Sequence, residues 1–99
     1  MASRLSVSIT YCRRCNFLPR ALWTAHELLH TFGEYIADLR LVPAGGGDFD
    51  VDVNGERIFS RREAGRYPEI AELKETLAAR LEPEEAASLR RHPHQPAAG

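Results

Sequence analysis

The sequence contains no hydrophobic run near the roughly 20 residues that span a bilayer, only one lysine, Lys74, and only two cysteines. It also has no excess of one charge sign, because 13 Lys and Arg balance 14 Asp and Glu to a formal net charge of -1. This balance gives no reason to expect nucleic acid or a membrane as a partner. The N-terminus lacks the apolar stretch of a signal peptide, so we expect a cytoplasmic protein, and its two cysteines are then unsuited to a structural disulfide.

The two cysteines form a Cys-x-x-Cys motif, Cys12-Arg13-Arg14-Cys15, between an alternating apolar run and a helical pattern. A strand that leads into this motif at a helix N-terminus holds two thiols close enough to form and break one disulfide. Backbone N–H groups there point toward the sulfurs. Neighbouring cations favour the thiolate, so Arg13 and Arg14 are expected to stabilise the reduced form. The motif predicts a redox-active dithiol; half of a zinc site and two incidental thiols are the alternatives.

Two segments on either side of a helical pattern predict a parallel βαβ unit. Residues 5–11 alternate apolar and polar side chains and are rich in β-branched residues, which predicts the first strand. Residues 36–42 predict a second strand that ends at Pro43.

The helix between these strands is predicted over residues 16–32. Asn16 is expected to cap it, Pro19 is tolerated in its first turn, and Gly33 is expected to end it in the left-handed conformation. Five apolar residues recur at spacings of three and four, and we expect them to face the sheet. They are Leu18, Leu22, Ala25, Leu29 and Phe32.

A β-hairpin is predicted from two short strands joined by Asn54-Gly55, a sequence typical of a two-residue type I′ turn. Residues 49–53 form the first strand of this prediction and residues 57–60 the second. Three aspartates alternate along the first strand and are expected on its solvent side. They are Asp48, Asp50 and Asp52.

A last helix is predicted to begin at Pro68 and to bury Ile70, Leu73, Leu77 and Leu81. Pro83 interrupts it, a short helix is expected over residues 83–91, and the remainder to Gly99 is expected to be a frayed, disordered tail. The elements predict an α/β protein with a thioredoxin-like fold: βαβ followed by ββα, a four-stranded mixed sheet and two main helices. The predicted organisation is a redox domain over residues 1–82, followed by residues 83–99.

Several segments together resemble the selenoprotein W-like family, also called the Rdx family, over about residues 5–82. The segments are Val7-Ser8-Ile9-Thr10-Tyr11-Cys12, Ala25-His26-Glu27-Leu28-Leu29, Gly46-Gly47-Asp48-Phe49-Asp50-Val51, Asn54-Gly55-Glu56-Arg57-Ile58-Phe59-Ser60-Arg61 and Gly65-Arg66-Tyr67-Pro68. The resemblance implies a thioredoxin-like fold and a redox-active centre at Cys12 and Cys15. Animal relatives carry selenocysteine at the position that aligns with Cys15. Cysteine is a weaker nucleophile at neutral pH, and the segment before Phe49 has no proline like the one that ordinary thioredoxins place beside their dithiol.

The attacking sulfur is open to two interpretations. Thioredoxin-like chemistry favours a more exposed Cys12 as the attacking group, with Cys15 resolving, and we favour this order. The selenocysteine alignment instead favours Cys15. Arg61 and Arg62 follow the hairpin and could face the dithiol, where they would bind carboxylates of glutathione or of an acidic partner, although such a pair is more often simply solvated.

The sequence therefore predicts a thiol-disulfide redox protein, a possible oxidoreductase, that exchanges disulfides with thiol-containing partner proteins or glutathione and requires no cofactor. The alternative is a non-enzymatic redox-sensing module that forms mixed disulfides. A zinc-protease motif, His26-Glu27-Leu28-Leu29-His30, also occurs in the first helix. A catalytic zinc needs a third protein ligand, so we interpret these histidines as flanking an ordinary amphipathic face and predict no metal site.

Overall fold

A computed structural model describes residues 4–91 of the chain. Its centre is a four-stranded mixed sheet with the strand order β2-β1-β3-β4. The strands are β1 (Leu5–Cys12), β2 (Ile36–Ala44), β3 (Phe49–Val53) and β4 (Glu56–Ser60), and the helices are α1 (Leu18–Phe32), α2 (Arg61–Ala64), α3 (Ile70–Ala78) and α4 (Pro83–Arg91). A short 3-10 helix, Gly33–Tyr35, follows α1. No helix within residues 4–91 is both long enough and apolar enough to cross a bilayer.

Both predicted strand pairings are confirmed: β1 is parallel to β2, and β3 and β4 form the hairpin. The structure adds an antiparallel pairing of β1 with β3. Asn54 and Gly55 have φ values of 53° and 83°, the positive values that a type I′ turn requires. The predicted end of the second strand is wrong, because β2 continues through Pro43 to Ala44. An edge strand tolerates proline where the ladder needs no donor.

The core lies on one face of this sheet. In β1 the buried side chains of Val7 and Ile9 alternate with partly exposed serines and a threonine. Their neighbours Val51 and Val53 in β3 are fully buried on the same face. Alternation with a period of two thus gives the sheet one apolar face for α1 and one polar face.

The predicted buried stripe of α1 is largely wrong. Leu18, Leu22 and Leu29 are 41%, 50% and 45% exposed. The helix instead buries a neighbouring stripe, which includes Ala21, Ala25, Leu28 and Phe32. Alanines at the contact let the helix backbone approach the sheet closely, and the larger leucines are then left on the flank.

Both predicted ends of α1 also differ. Phe17 occupies the N-cap position, whereas Asn16 lies one residue earlier with a φ of 59°. Gly33 has a φ of -49° and continues into the 3-10 helix rather than adopting the left-handed conformation. Pro19 lies in the first turn as expected.

The last main helix is present, but its predicted bounds are wrong: α3 begins at Ile70 rather than at Pro68 and ends at Ala78, before Leu81 and Pro83. Glu69 caps α3, and the backbone N–H of Glu69 donates a hydrogen bond to the Glu72 carboxylate at 2.7 Å. The Arg66 guanidinium binds the same carboxylate, and its hydrogen bond holds the pKa of Glu72 below the usual value. Leu73, Leu77 and Leu81 are buried, whereas Ile70 is only partly so. The short helix over residues 83–91 is confirmed as α4, and the predicted tail beyond it lies outside the described residues.

The predicted solvent face of the aspartates is wrong for Asp50, which is buried. The Arg57 guanidinium covers it, with Nη1 3.5 Å from Asp50 Oδ2 and Nε 2.9 Å from Asp52 Oδ1. The hydrogen bond to Asp52 and the charge of Asp50 raise the pKa of Arg57. Asp50, Asp52 and Arg57 therefore form one ion-pair network on this face of the hairpin.

Candidate functional site

The Cys-x-x-Cys motif lies where β1 ends. Cys12 is the last residue of β1, residues 13–16 form a turn, and α1 begins three residues after Cys15. The two sulfurs are joined in a disulfide, and the Cα atoms are 5.4 Å apart. The end of β1 and the turn after it therefore bring the two sulfurs into bonding contact, as the sequence predicts.

The two sulfurs differ in exposure. Cys12 is 1% exposed and belongs to the core cluster, whereas Cys15 lies on the surface. The expectation of a more exposed Cys12 is wrong. Because β1 is a central strand and its end is covered, the sulfur that a reagent can reach is that of Cys15.

A loop between β2 and β3 holds the Cys12 side of the turn. The backbone N–H of Cys12 donates to Asp48 O at 2.8 Å, and that of Arg13 donates to Ala44 O at 3.0 Å. Arg62 Nη2 fixes the loop by donating to Gly46 O at 2.6 Å and to Asp48 Oδ1 at 2.8 Å. Arg62 thus holds the loop whose backbone binds the Cys12 end of the turn.

An open groove of about 620 Å³ begins at Cys15. Its lining residues come from the turn, the start of α1 and the segment before α3: Cys15, Asn16, Phe17, Pro19, Arg20, Trp23 and Tyr67. Phe17 and Tyr67 pack edge to face with ring centroids 5.2 Å apart. An exposed sulfur therefore lies next to an aromatic wall.

Arginines surround this groove. The Arg20 Cζ lies 3.9 Å from the centroid of the Tyr67 ring, and the Arg61 Cζ lies 5.0 Å from the same ring. Arg13 and Arg14 are exposed on the turn between the sulfurs. Of the two arginines predicted after the hairpin, Arg61 therefore reaches the wall of the groove.

Sequence reasoning missed Arg20, Trp23 and Tyr67 as residues of the groove. Trp23 is 48% exposed and lines the groove. Arg20 is five residues after Cys15, and its place in the first helical turn was the available signal. Tyr67 lies in a segment that resembles the Rdx family, but only the fold brings it beside Cys15.

The zinc-protease motif is arranged differently from a catalytic centre. His26 and His30 stack on the exposed side of α1 with ring centroids 6.0 Å apart. Glu27 is buried, and its Oε1 accepts a hydrogen bond from Lys74 Nζ at 3.2 Å. Within residues 4–91 no three His, Cys, Asp or Glu side chains are grouped as a metal site.

The structure consists of a βαβ unit, a hairpin and a helix, and its two bonded cysteines lie at the end of the first strand. These features define a thioredoxin-like protein with a Cys-x-x-Cys dithiol. The chain belongs to the Rdx family, whose sequence profile matches residues 6–79. This family is associated with redox proteins.

Two solved structures support the same assignment. A selenoprotein W-related protein from Vibrio cholerae is 41% identical, with a TM-score of 0.72, and the match covers 74% of this chain and 91% of that one. A protein from Bordetella parapertussis is 39% identical, with a TM-score of 0.75 and coverages of 78% and 98%. Among curated proteins, mouse migration and invasion enhancer 1 is 29% identical over 93 residues, which are 92% of this chain and 79% of that protein.

Proposed function

We propose that the protein exchanges disulfides with thiol-containing partner proteins, using Cys15 as the attacking sulfur and Cys12 as the resolving sulfur. The observation that carries this proposal is the difference in exposure across one bonded pair. Cys15 is exposed at a groove, and Cys12 is 1% exposed. A partner can reach only the first of them without rearrangement of the core.

The exchange proceeds in two steps when the protein is reduced. The Cys15 thiolate attacks one sulfur of a substrate disulfide, a Cys15–substrate disulfide forms, and the other substrate sulfur leaves as a thiolate that takes up a proton. Cys12 then loses its proton and attacks the Cys15 sulfur, which forms the Cys12–Cys15 bond and releases the second substrate sulfur. The substrate disulfide gains two electrons and the protein dithiol loses two; the reverse sequence oxidises a substrate dithiol.

The roles of the sulfurs are tested by trapping the mixed disulfide. Reduced Cys12→Ser and Cys15→Ser variants are mixed with a peptide disulfide, and the adducts are followed by mass spectrometry. We expect Cys12→Ser to accumulate an adduct on Cys15, because its second step is blocked. Cys15→Ser should react slowly, because its remaining sulfur is buried.

The variant that lacks both cysteines is the matched control and should form no adduct. Equal or faster capture by Cys15→Ser would reverse the two roles. Absence of adduct from both single variants would contradict disulfide exchange altogether.

Turnover separates an oxidoreductase from the redox-sensing alternative. An enzyme should reduce many equivalents of the peptide disulfide when a recycling reductant is supplied. A sensor should stop after one equivalent.

A further inference from the structure

The groove beside Cys15 carries positive charge that the protein itself does not neutralise. Arg13 and Arg14 flank the exposed sulfur, Arg20 lines the groove, and Arg61 stands over its aromatic wall. Within residues 4–91 none of these four guanidinium groups forms an ion pair with a carboxylate. No acidic side chain lines the groove.

Several arginines outside the groove are paired with carboxylates. Arg57 pairs with Asp50 and Asp52, and Arg62 pairs with Asp48 at 2.8 Å. Their charge is thus largely compensated on the polar face of the sheet. The four arginines around the exposed sulfur lack such partners, so a partner protein that reaches this sulfur meets their charge.

Two of these cations lie over the ring of Tyr67. The guanidinium carbon of Arg20 lies 3.9 Å from its ring centroid and that of Arg61 lies 5.0 Å from it. A guanidinium that stacks on an aromatic ring keeps its N–H donors at its edge, where they can bind a carboxylate in bidentate fashion. The Nε atom of Arg61 is buried without an acceptor among the described residues.

We propose that this groove recognises an acidic segment of the partner protein, in which the reacting cysteine is flanked by Asp or Glu and by a bulky apolar side chain. This inference rests on the proposed disulfide exchange at Cys15. The carboxylates bind Arg20 and the arginines of the turn, and the apolar side chain packs on the exposed Trp23 ring. The groove is open to solvent, so a segment of a partner protein can enter it.

The test compares three peptide disulfides of equal length whose cysteines are flanked by Glu, by Gln or by Lys. Each oxidises the fully reduced protein in a single turnover, which is followed by the fluorescence of Trp23, the only tryptophan, and by quenched-flow mass spectrometry. At low ionic strength we expect the Glu peptide to react roughly tenfold faster than the Lys peptide, with the Gln peptide between them. At about 1 M salt, where the screening length falls to about 3 Å, the difference should largely disappear.

Two matched charge removals locate the effect. Arg20→Gln should lower the ratio of the Glu rate to the Lys rate by roughly threefold, because local charges at a contact mainly set the association rate. Arg40→Gln removes the same charge from an exposed position in β2, opposite Ser8 and away from the groove, and should leave the ratio unchanged. The formal net charge of -1 opposes any general attraction of the acidic peptide, so a preference must arise locally.

The outcomes separate this inference from the proposed function. Equal rates for the three peptides, or equal effects of the two substitutions, would overturn the acidic-segment inference and leave disulfide exchange intact. Failure of all three peptides to oxidise the reduced protein would overturn disulfide exchange itself.

Discussion

Arg13 and Arg14 lie on the exposed turn that separates the two sulfurs, and neither forms an ion pair within the described part of the chain. Their charge stabilises a thiolate, which exists only in the reduced protein, more than it stabilises the neutral disulfide. Replacing both by alanine should therefore lower the reduction potential. Exposed charges typically contribute about 0.2–1 kcal/mol. About 30 mV corresponds to about 1.4 kcal/mol for two electrons, so we expect a fall of about 5–20 mV for each arginine.

The potential is measured by equilibration with glutathione redox buffers of known composition. Arg40→Ala serves as the control, because it removes an exposed arginine from the middle of β2. The double substitution should lower the potential and the control should not. An unchanged or raised potential in the double variant would refute the electrostatic role of the turn.

At this scale the sequence identifies the two cysteines but not their difference in exposure. Their spacing, and the strand that precedes them, are local properties and are readable from consecutive residues. Exposure depends on distant chain segments: the Asp48 carbonyl that binds the Cys12 N–H, and Tyr67, which lines the groove at Cys15.

The helix α1 shows what a hydrophobic pattern can and cannot determine. Its apolar residues occupy two adjoining stripes, one through Leu18, Leu22 and Leu29 and one through Ala21 and Leu28. The spacing of either stripe correctly predicts a helix. Which stripe is buried depends on how closely the helix backbone can approach the sheet. Small side chains at the contact allow the closer approach, so the stripe with the alanine is buried.

A matched pair of substitutions tests this packing. Leu28 is fully buried, so Leu28→Ala should lower the free energy of unfolding by about 2–5 kcal/mol through lost burial and a cavity. Leu22 is 50% exposed, so Leu22→Ala should change it by only about 0.5 kcal/mol. Both substitutions remove the same atoms from the same helix, and chemical denaturation measures both. Similar losses for the two variants would contradict the observed face of α1.

At the scale of the whole molecule, the sequence predicts two of the strand pairings because their connections are short and each strand has a clear pattern. The parallel pairing of β1 with β2 and the β3–β4 hairpin follow from these local signals. Contacts between elements distant in sequence are not predictable in this way. The pair of Glu27 in α1 with Lys74 in α3 is an example, since its partners are 47 residues apart.

The ion pair of Lys74 with Glu27 connects α3 with α1. The Lys74 and Glu27 side chains are 17% and 7% exposed, and Nζ lies 3.2 Å from Oε1. Removal of Lys74 takes away the cation that contacts the buried Glu27 carboxylate. Lys74→Met should therefore lower the free energy of unfolding by about 3–5 kcal/mol.

Combining Lys74→Met with Glu27→Gln should recover much of that loss, because the buried carboxylate charge is then removed together with its cation. The exposed ion pair of Arg80 with Glu56 provides the comparison. Its N–O distance is 2.9 Å, and the two side chains are 28% and 68% exposed. Arg80→Met should cost no more than about 1 kcal/mol. Denaturation curves of the single and double variants give all these free energies of unfolding. If Lys74→Met cost as little as Arg80→Met, the prediction would be contradicted. That result would mean that water reaches the buried pair and that hydrophobic packing alone holds α3 against α1.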